Sequence, residues 1–209
     1  KGETEIDLEK LENWREEFKG ARFFSEEDGS FHSFREVEKM SKSKYNVVNP
    51  DAICEEYGAD SLRLFEMFLG PLEQAKPWKT SGISGVSSFL KKLWKLYFNG
   101  ETFEVSDATA TKEELKTLHK TIKKVEEDIE NFSFNTSVST FMIAVNELTA
   151  LKCNKRAILE PLAILVSPYA PHIAEELWSL LGNKESIATA DFPVFEASHL
   201  VESSKVYPV

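Results

Sequence analysis

Apolar residues recur at steps of three and four through much of this sequence. Ile83, Val86, Phe89, Leu90, Leu93 and Tyr97 make one run, ended by Asn99-Gly100. The next begins at Thr111, whose hydroxyl and Glu114 have the spacing of a reciprocal capping box, and continues through Leu115, Leu118, Ile122, Val125, Ile129 and Phe132. Another holds Phe134, Val138, Phe141, Val145 and Leu148. The last spans 156–181 and contains Pro161, Pro168 and Pro171, which are expected to kink or break it because each removes a backbone donor. Stripes of this period are buried by packing against other helices, so the chain is constrained to form a helical bundle.

The grammar before the bundle is mixed. Leu8, Leu11, Trp14 and Phe18 predict a short amphipathic helix within 3–19. Aromatic-rich runs at 21–25 and 30–34 flank Glu26-Glu27-Asp28-Gly29 and predict a β-hairpin, the one clear β signal. Asn49 is suited to accept free N–H groups at a helix start, Pro50 to the first helical position and Gly58 to the end. Asp60 is then expected to cap a helix holding Leu62, Leu64, Phe65, Phe68 and Leu69, stopped at Gly70-Pro71. The pattern fades beyond Gly182, and 205–209 reads as an incipient strand. The fold class is mainly α: a small β-hairpin and loop unit before a four- to five-helix bundle.

Charge limits the partners. The 209 residues carry 35 acidic and 25 basic side chains, a net −10, so the averaged field repels nucleic acid and any RNA contact must be local. Cys54 and Cys153 stand far apart with no partner at metal-ligand spacing, so neither a disulfide nor a zinc site is expected, and a cytoplasmic setting fits. No apolar run approaches the ~20 residues of a membrane span. The opening KGETEIDLEK is neither a signal peptide nor an initiator methionine, so the chain is expected to begin inside a longer protein.

The chemistry is concentrated in Lys39-Met40-Ser41-Lys42-Ser43-Lys44, with three ammonium groups and two hydroxyls in six residues. Such groups offer charge-assisted hydrogen bonds to phosphate oxygens, and cations placed beside a departing pyrophosphate stabilise that state more than the ground state. A solvated basic turn would have the same composition, so the context decides. KMSKS matches, in all five letters, the second signature of the class I aminoacyl-tRNA synthetases. NVVNPD at 46–51 and EEYGADSLRLF at 55–65 are similar to the leucine, isoleucine, valine and methionine group. FLGPLEQAKPW at 68–78 resembles the leucyl enzymes in particular, and SPYAPHIAEELW at 167–178 resembles the late bundle helix of these synthetases. After the loop this family usually has Gly where this sequence has Tyr45; if that position needs a positive φ, the tyrosine is strained.

The resemblance to leucyl-tRNA synthetase implies an internal fragment of a cytoplasmic, monomeric enzyme with no membrane contact. Such an enzyme activates leucine with ATP and Mg²⁺ and transfers it to tRNA(Leu). It implies Lys39 and Lys42 as catalytic cations, and Lys39, Met40, Ser41, Lys42 and Ser43 as the ATP-binding set. It also implies the end of a catalytic domain at 1–48, a connecting helical segment at 49–80, a tRNA-binding bundle of the anticodon-binding type at 81–190 and a C-terminal segment from 191 to 209. None of His32, His119, His172 and His199 lies in a His-X-Gly-His motif, so this piece is expected to be inactive alone. The alternatives are an isoleucyl, valyl or methionyl fragment, which 68–78 disfavours, and a non-catalytic helical module that binds RNA or protein.

Other candidates read more plainly as structure. Met40 suits packing, Asp60 and Arg63 a helix cap and an internal ion pair, Trp78 a packed junction, and His172 a core or junction position. Lys91, Lys92, Lys95, Lys116, Lys120, Lys123 and Lys124 fall on polar helix faces, where solvent with nearby carboxylates such as Glu126 and Glu127 competes with a phosphate backbone as the partner.

Overall fold

The computed structural model describes residues 8–22 and 36–200. The chain divides into two compact units, 1–48 and 49–209. The expected hairpin and the expected strand at 205–209 lie outside the described residues.

In the first unit, helix α1 (Leu8–Trp14) is followed by a single helical turn at Glu16–Phe18, which ends near Gly20 at φ 71°. A second single turn covers Lys42–Lys44.

The second unit is helical. It contains α2 (Pro50–Tyr57), α3 (Ala59–Phe68), α4 (Ile83–Leu96), α5 (Lys112–Glu130), α6 (Phe134–Ala150), α7 (Arg156–Val166) and α8 (Pro171–Leu180). The start of α2 follows the sequence: Asn49 accepts from the Asp51 N–H at 3.0 Å, Pro50 occupies the first turn, and Gly58 closes it at φ 87°. The capping box of α5 is complete, Thr111 N–H donating to Glu114 Oε2 at 2.7 Å and Glu114 N–H to Thr111 Oγ1 at 3.2 Å. Ile83, Val86, Phe89 and Leu93 of α4, Leu118, Ile122 and Val125 of α5, and Val138, Phe141, Val145 and Leu148 of α6 form the core. Burying such a side chain stabilises by roughly 1.5–3 kcal/mol relative to exposure. Helix α6 packs against α3, α4 and α5 and is the common neighbour.

Four local expectations change. Phe132 is not part of the α5 seam: the helix ends at Glu130, and Phe132 stands 67% exposed at φ 55°. Pro161 sits inside a continuous α7, while the break comes at 167–170 and Pro171 starts α8, where a missing N–H costs nothing. The sheet found among the described residues is a two-strand hairpin, β1 (Phe98–Asn99) against β2 (Thr102–Phe103), turning at Gly100 with φ 62°. Past Gly182 the chain folds back, with Ile187 buried against Ala163 and Ala174 and its N–H donating to Glu175 Oε2 at 3.0 Å.

Asp60 and Arg63 do not pair with each other. The N-cap of α3 is Gly58, and Asp60 instead caps α8 from more than a hundred positions away. Its carboxylate accepts the backbone N–H of His172 at 3.2 Å and of Ile173 at 2.7 Å, and contacts His172 Nδ1 at 2.8 Å. Helix α8 has Ala170 at its own N-cap, which carries no acceptor, so its first free N–H groups need a distant carboxylate. Arg63 Nη2 donates to the Pro168 carbonyl at 2.8 Å, tying α3 to the α7–α8 link.

Behind α5, the turn Ala197–Leu200 brings His199 onto His119, rings stacked at 4.3 Å, while the Glu196 N–H donates to His119 Nδ1 at 3.1 Å. Burial, then the neighbouring His199, lower the His119 pKa below its ordinary value, against an opposing pull from Glu196.

Asp60→Ala is expected to cost about 2–3 kcal/mol, since it leaves two backbone donors of α8 without their charged acceptor; the shift of the urea midpoint checks it, and Arg63→Ala should cost less. His119 is less basic in the folded than in the unfolded state, so its contribution is complete above about pH 6.5 and is lost as the pH falls below that value. Intrinsic-rate-corrected amide exchange at Glu196 should therefore rise several-fold on acidification, and His119→Phe should remove that dependence.

Candidate phosphate-binding loop and nucleic-acid groove

Within the first unit, the loop is shaped by backbone bonds. Lys44 N–H donates to the Ser41 carbonyl at 3.0 Å and Tyr45 N–H to the Lys42 carbonyl at 3.2 Å, which makes the turn Lys42–Lys44. Asn46 closes the base: its Oδ1 accepts the Ser41 N–H at 2.8 Å and its Nδ2 donates to the Lys39 carbonyl at 3.3 Å. The Ser41 and Ser43 hydroxyls lie 2.7 Å apart. Tyr45 sits at φ 53° and ψ 28°, left-handed, so this position does take a positive φ, at a strain of roughly 1–2 kcal/mol for a tyrosine.

The three lysines differ. Lys44 Nζ is paired with Glu38 at 2.7 Å, whereas Lys39 and Lys42 are exposed and form no ion pair among the described residues. A charged group held outward without a carboxylate partner keeps its charge for an incoming anion. Met40 is 42% exposed rather than packed. The five residues read from sequence are thus contiguous on one exposed loop, with Ser41 half-buried. Sequence reasoning does not single out Asn46, although an asparagine just past a short polar loop is suited to this kind of backbone bonding.

Within the second unit, the lysines separate into two environments. Lys92 and Lys95 line a groove of about 470 Å³ with Phe98, Asn99, Thr149, Lys152 and Asn154. Lys92 Nζ donates to Asn146 Oδ1 at 3.1 Å, and Lys152 is set at φ 52° just beyond α6. The carboxylate at this rim, Glu104, accepts from Asn99 Nδ2 at 2.8 Å. Trp94 stacks on the groove residue Phe98 at 4.5 Å. Cys153, buried below the groove, has its thiol pushed up to about 12, chiefly by burial.

The α5 lysines have acidic company. Lys123 faces Glu127 at 3.9 Å and Lys124 is paired with Asp128; the groove they line also holds Glu127 and Glu147. Trp78 packs edge-on against Phe65 at 5.1 Å with its Nε1 on Thr80 at 2.9 Å, which is a structural position. His172 is not in the core: its side chain is 73% exposed, and it contacts Asp60 at the start of α8. No helix among the described residues is long and apolar enough to cross a membrane.

Two segments match known families: 30–79 the class I tRNA synthetases of the I, L, M and V group, and 112–207 the anticodon-binding domain of tRNA ligase. With a KMSKS loop preceding a helical bundle of that type in sequence, the chain belongs to the class I tRNA synthetases. Within that class it is a homologue of the leucine–tRNA ligases. It is 70% identical to that of Christiangramia forsetii and 68% identical to that of Flavobacterium johnsoniae, each over 205 residues, 98% of this chain. That of Cytophaga hutchinsonii is 60% identical over the same share. The chain spans 21–22% of the length of these relatives. Among solved structures it is similar to a leucyl-tRNA synthetase of Agrobacterium radiobacter K84, crystallised as a ternary complex with tRNA and LeuAMS. That match has a TM-score of 0.67 and 29% identity, and covers 78% of this chain and 23% of that one.

Proposed function

We propose that this chain is the part of a leucine–tRNA ligase that supplies the phosphate-binding loop of leucine activation and a helical surface for tRNA(Leu). The observation that carries the first half is the state of Lys39 and Lys42: exposed, with no ion pair among the described residues, on a turn stitched by Asn46. The loop offers ammonium and hydroxyl donors, which fit the oxygens of a polyphosphate; Mg²⁺ would arrive with ATP as the substrate complex and moderate its charge. As the leucine carboxylate attacks the α-phosphate and pyrophosphate departs, Lys42 and Lys39 stabilise the growing negative charge, with Ser41 and Ser43 as further donors. Met40 contributes as a member of the same exposed segment. The exposed lysines argue against a non-catalytic module that has merely kept the loop.

The second half rests on the groove of Lys92, Lys95 and Lys152. In a chain of net −10, three lysines around one concavity lined by a single carboxylate, Glu104, form a local positive field able to hold phosphates. Lys123 and Lys124 of α5, facing Glu127 and Asp128, are worth less to an RNA. The relatives' names and the tRNA complex of the similar synthetase agree with this reading.

In the full-length protein, Lys42→Ala is expected to lower leucine-dependent ATP–pyrophosphate exchange by a factor of about 10² with folding intact. An unchanged rate would remove Lys42 from the mechanism, and exchange preferring isoleucine, valine or methionine would overturn the substrate. Changing Lys92, Lys95 and Lys152 to Glu is expected to weaken tRNA(Leu) binding and flatten its log–log salt slope by about 0.7–0.9 for each phosphate that is no longer neutralised. The same triple change made at Lys120, Lys123 and Lys124 should leave the slope nearly as it was.

A further inference from the structure

The turn that carries Lys42 ends on a residue in an unfavourable conformation, and α1 supplies what holds it there. Tyr45 is left-handed and 66% exposed, so burial does not fix it. Its ring meets Trp14 edge-on at 5.6 Å, and the Arg15 guanidinium lies over both rings, 4.4 Å from the Tyr45 centroid and 4.7 Å from that of Trp14. From the same position Arg15 Nη2 donates to the Ser43 carbonyl at 3.1 Å, inside the turn itself. Arg15 Nε is buried without an acceptor, so the guanidinium is seated by ring faces as much as by hydrogen bonds. The nearby Glu17 would explain an arginine at this place, but not its reach across 28 positions to Ser43.

We propose that Arg15 and Trp14 are positioning residues for the phosphate-binding loop: the guanidinium, laid over Trp14 and Tyr45 and bonded to the Ser43 carbonyl, keeps Tyr45 left-handed and so fixes where Lys42 and the two serine hydroxyls stand. This rests on the reading that the loop meets ATP phosphates. If the brace is lost, Tyr45 relaxes toward ordinary backbone angles and carries Asn46, the next residue, away from the Ser41 N–H and the Lys39 carbonyl that its side chain bonds. The Lys42 ammonium is then spread over many positions, and ATP binding must first restore the turn. Glycine at position 45 accepts left-handed angles without help, so the need for Arg15 depends on the residue it supports.

The test is a double-mutant cycle in the full-length protein, read by ATP–pyrophosphate exchange. Arg15→Ala is expected to lower kcat/KM for ATP about five- to tenfold while leaving KM for leucine unchanged. In the Tyr45→Gly background the same change should cost no more than about twofold. Trp14→Leu removes the ring platform while leaving the guanidinium, and should show the same glycine-dependent loss; it decides the matter if Arg15→Ala does not fold. A wild-type rate for Arg15→Ala, or a loss equally large with Gly at 45, would overturn the brace. Lys42→Ala measured alongside separates the two ideas, because an unchanged rate there would sink the phosphate-loop reading itself.

Discussion

The bundle depends on one carboxylate answering a need that local sequence leaves open. Helix α8 begins with Ala170 and Pro171, neither of which can accept its free N–H groups, and Asp60 on α3 accepts two of them. A half-buried helix start without an acceptor leaves donors whose loss of water is not offset. The consequence spreads: with α8 fixed to α3, Arg63 meets the carbonyl of Pro168, the α7–α8 corner closes, and Ala163 and Ala174 form the seat on which Ile187 folds back. Asp60 is therefore a structural residue that would look like a surface acid at a helix start if read in isolation.

The same principle, a polar group satisfied from a distance, separates what the sequence disclosed from what it concealed. Periodicity located α4, α5 and α6 because Leu118, Ile122 and Val125 or Val138, Phe141 and Val145 report their burial through spacing alone. Asn49-Pro50 and Thr111 with Glu114 were legible because capping partners lie within a turn of each other. The partners of Asp60 and Arg63 lie over a hundred residues away, and nothing in the local pattern points to them. Phe132 misled for the opposite reason: it continues the apolar spacing of α5 but falls two residues beyond the helix, at a positive φ. The short β1–β2 hairpin is illegible in sequence because strands of two residues carry no alternation to detect.

For the candidate site, the sequence named candidate residues but not the state in which the fold holds them. The KMSKS letters and the 68–78 block pointed to the leucyl subgroup, in agreement with the leucine–tRNA ligases among the relatives. That Lys44 is tied to Glu38 while Lys39 and Lys42 are held without an ion pair among the described residues is a matter of three dimensions. So is the division of the bundle lysines, since Lys95 and Lys124 look alike in sequence but keep different company. An acidic protein that binds an anion must work by such local separation, because its long-range field works against it.

Gly58 joins α2 to α3 as a single residue between Tyr57 and Ala59, at φ 87° and ψ 153°. A joint this short has no slack. Each residue added or removed between it and Asp60 would turn the carboxylate by about 100° around the α3 axis and shift it along by about 1.5 Å. The chain here behaves as a ruler with one setting: a change of length would misalign the contact that Asp60 makes with the start of α8.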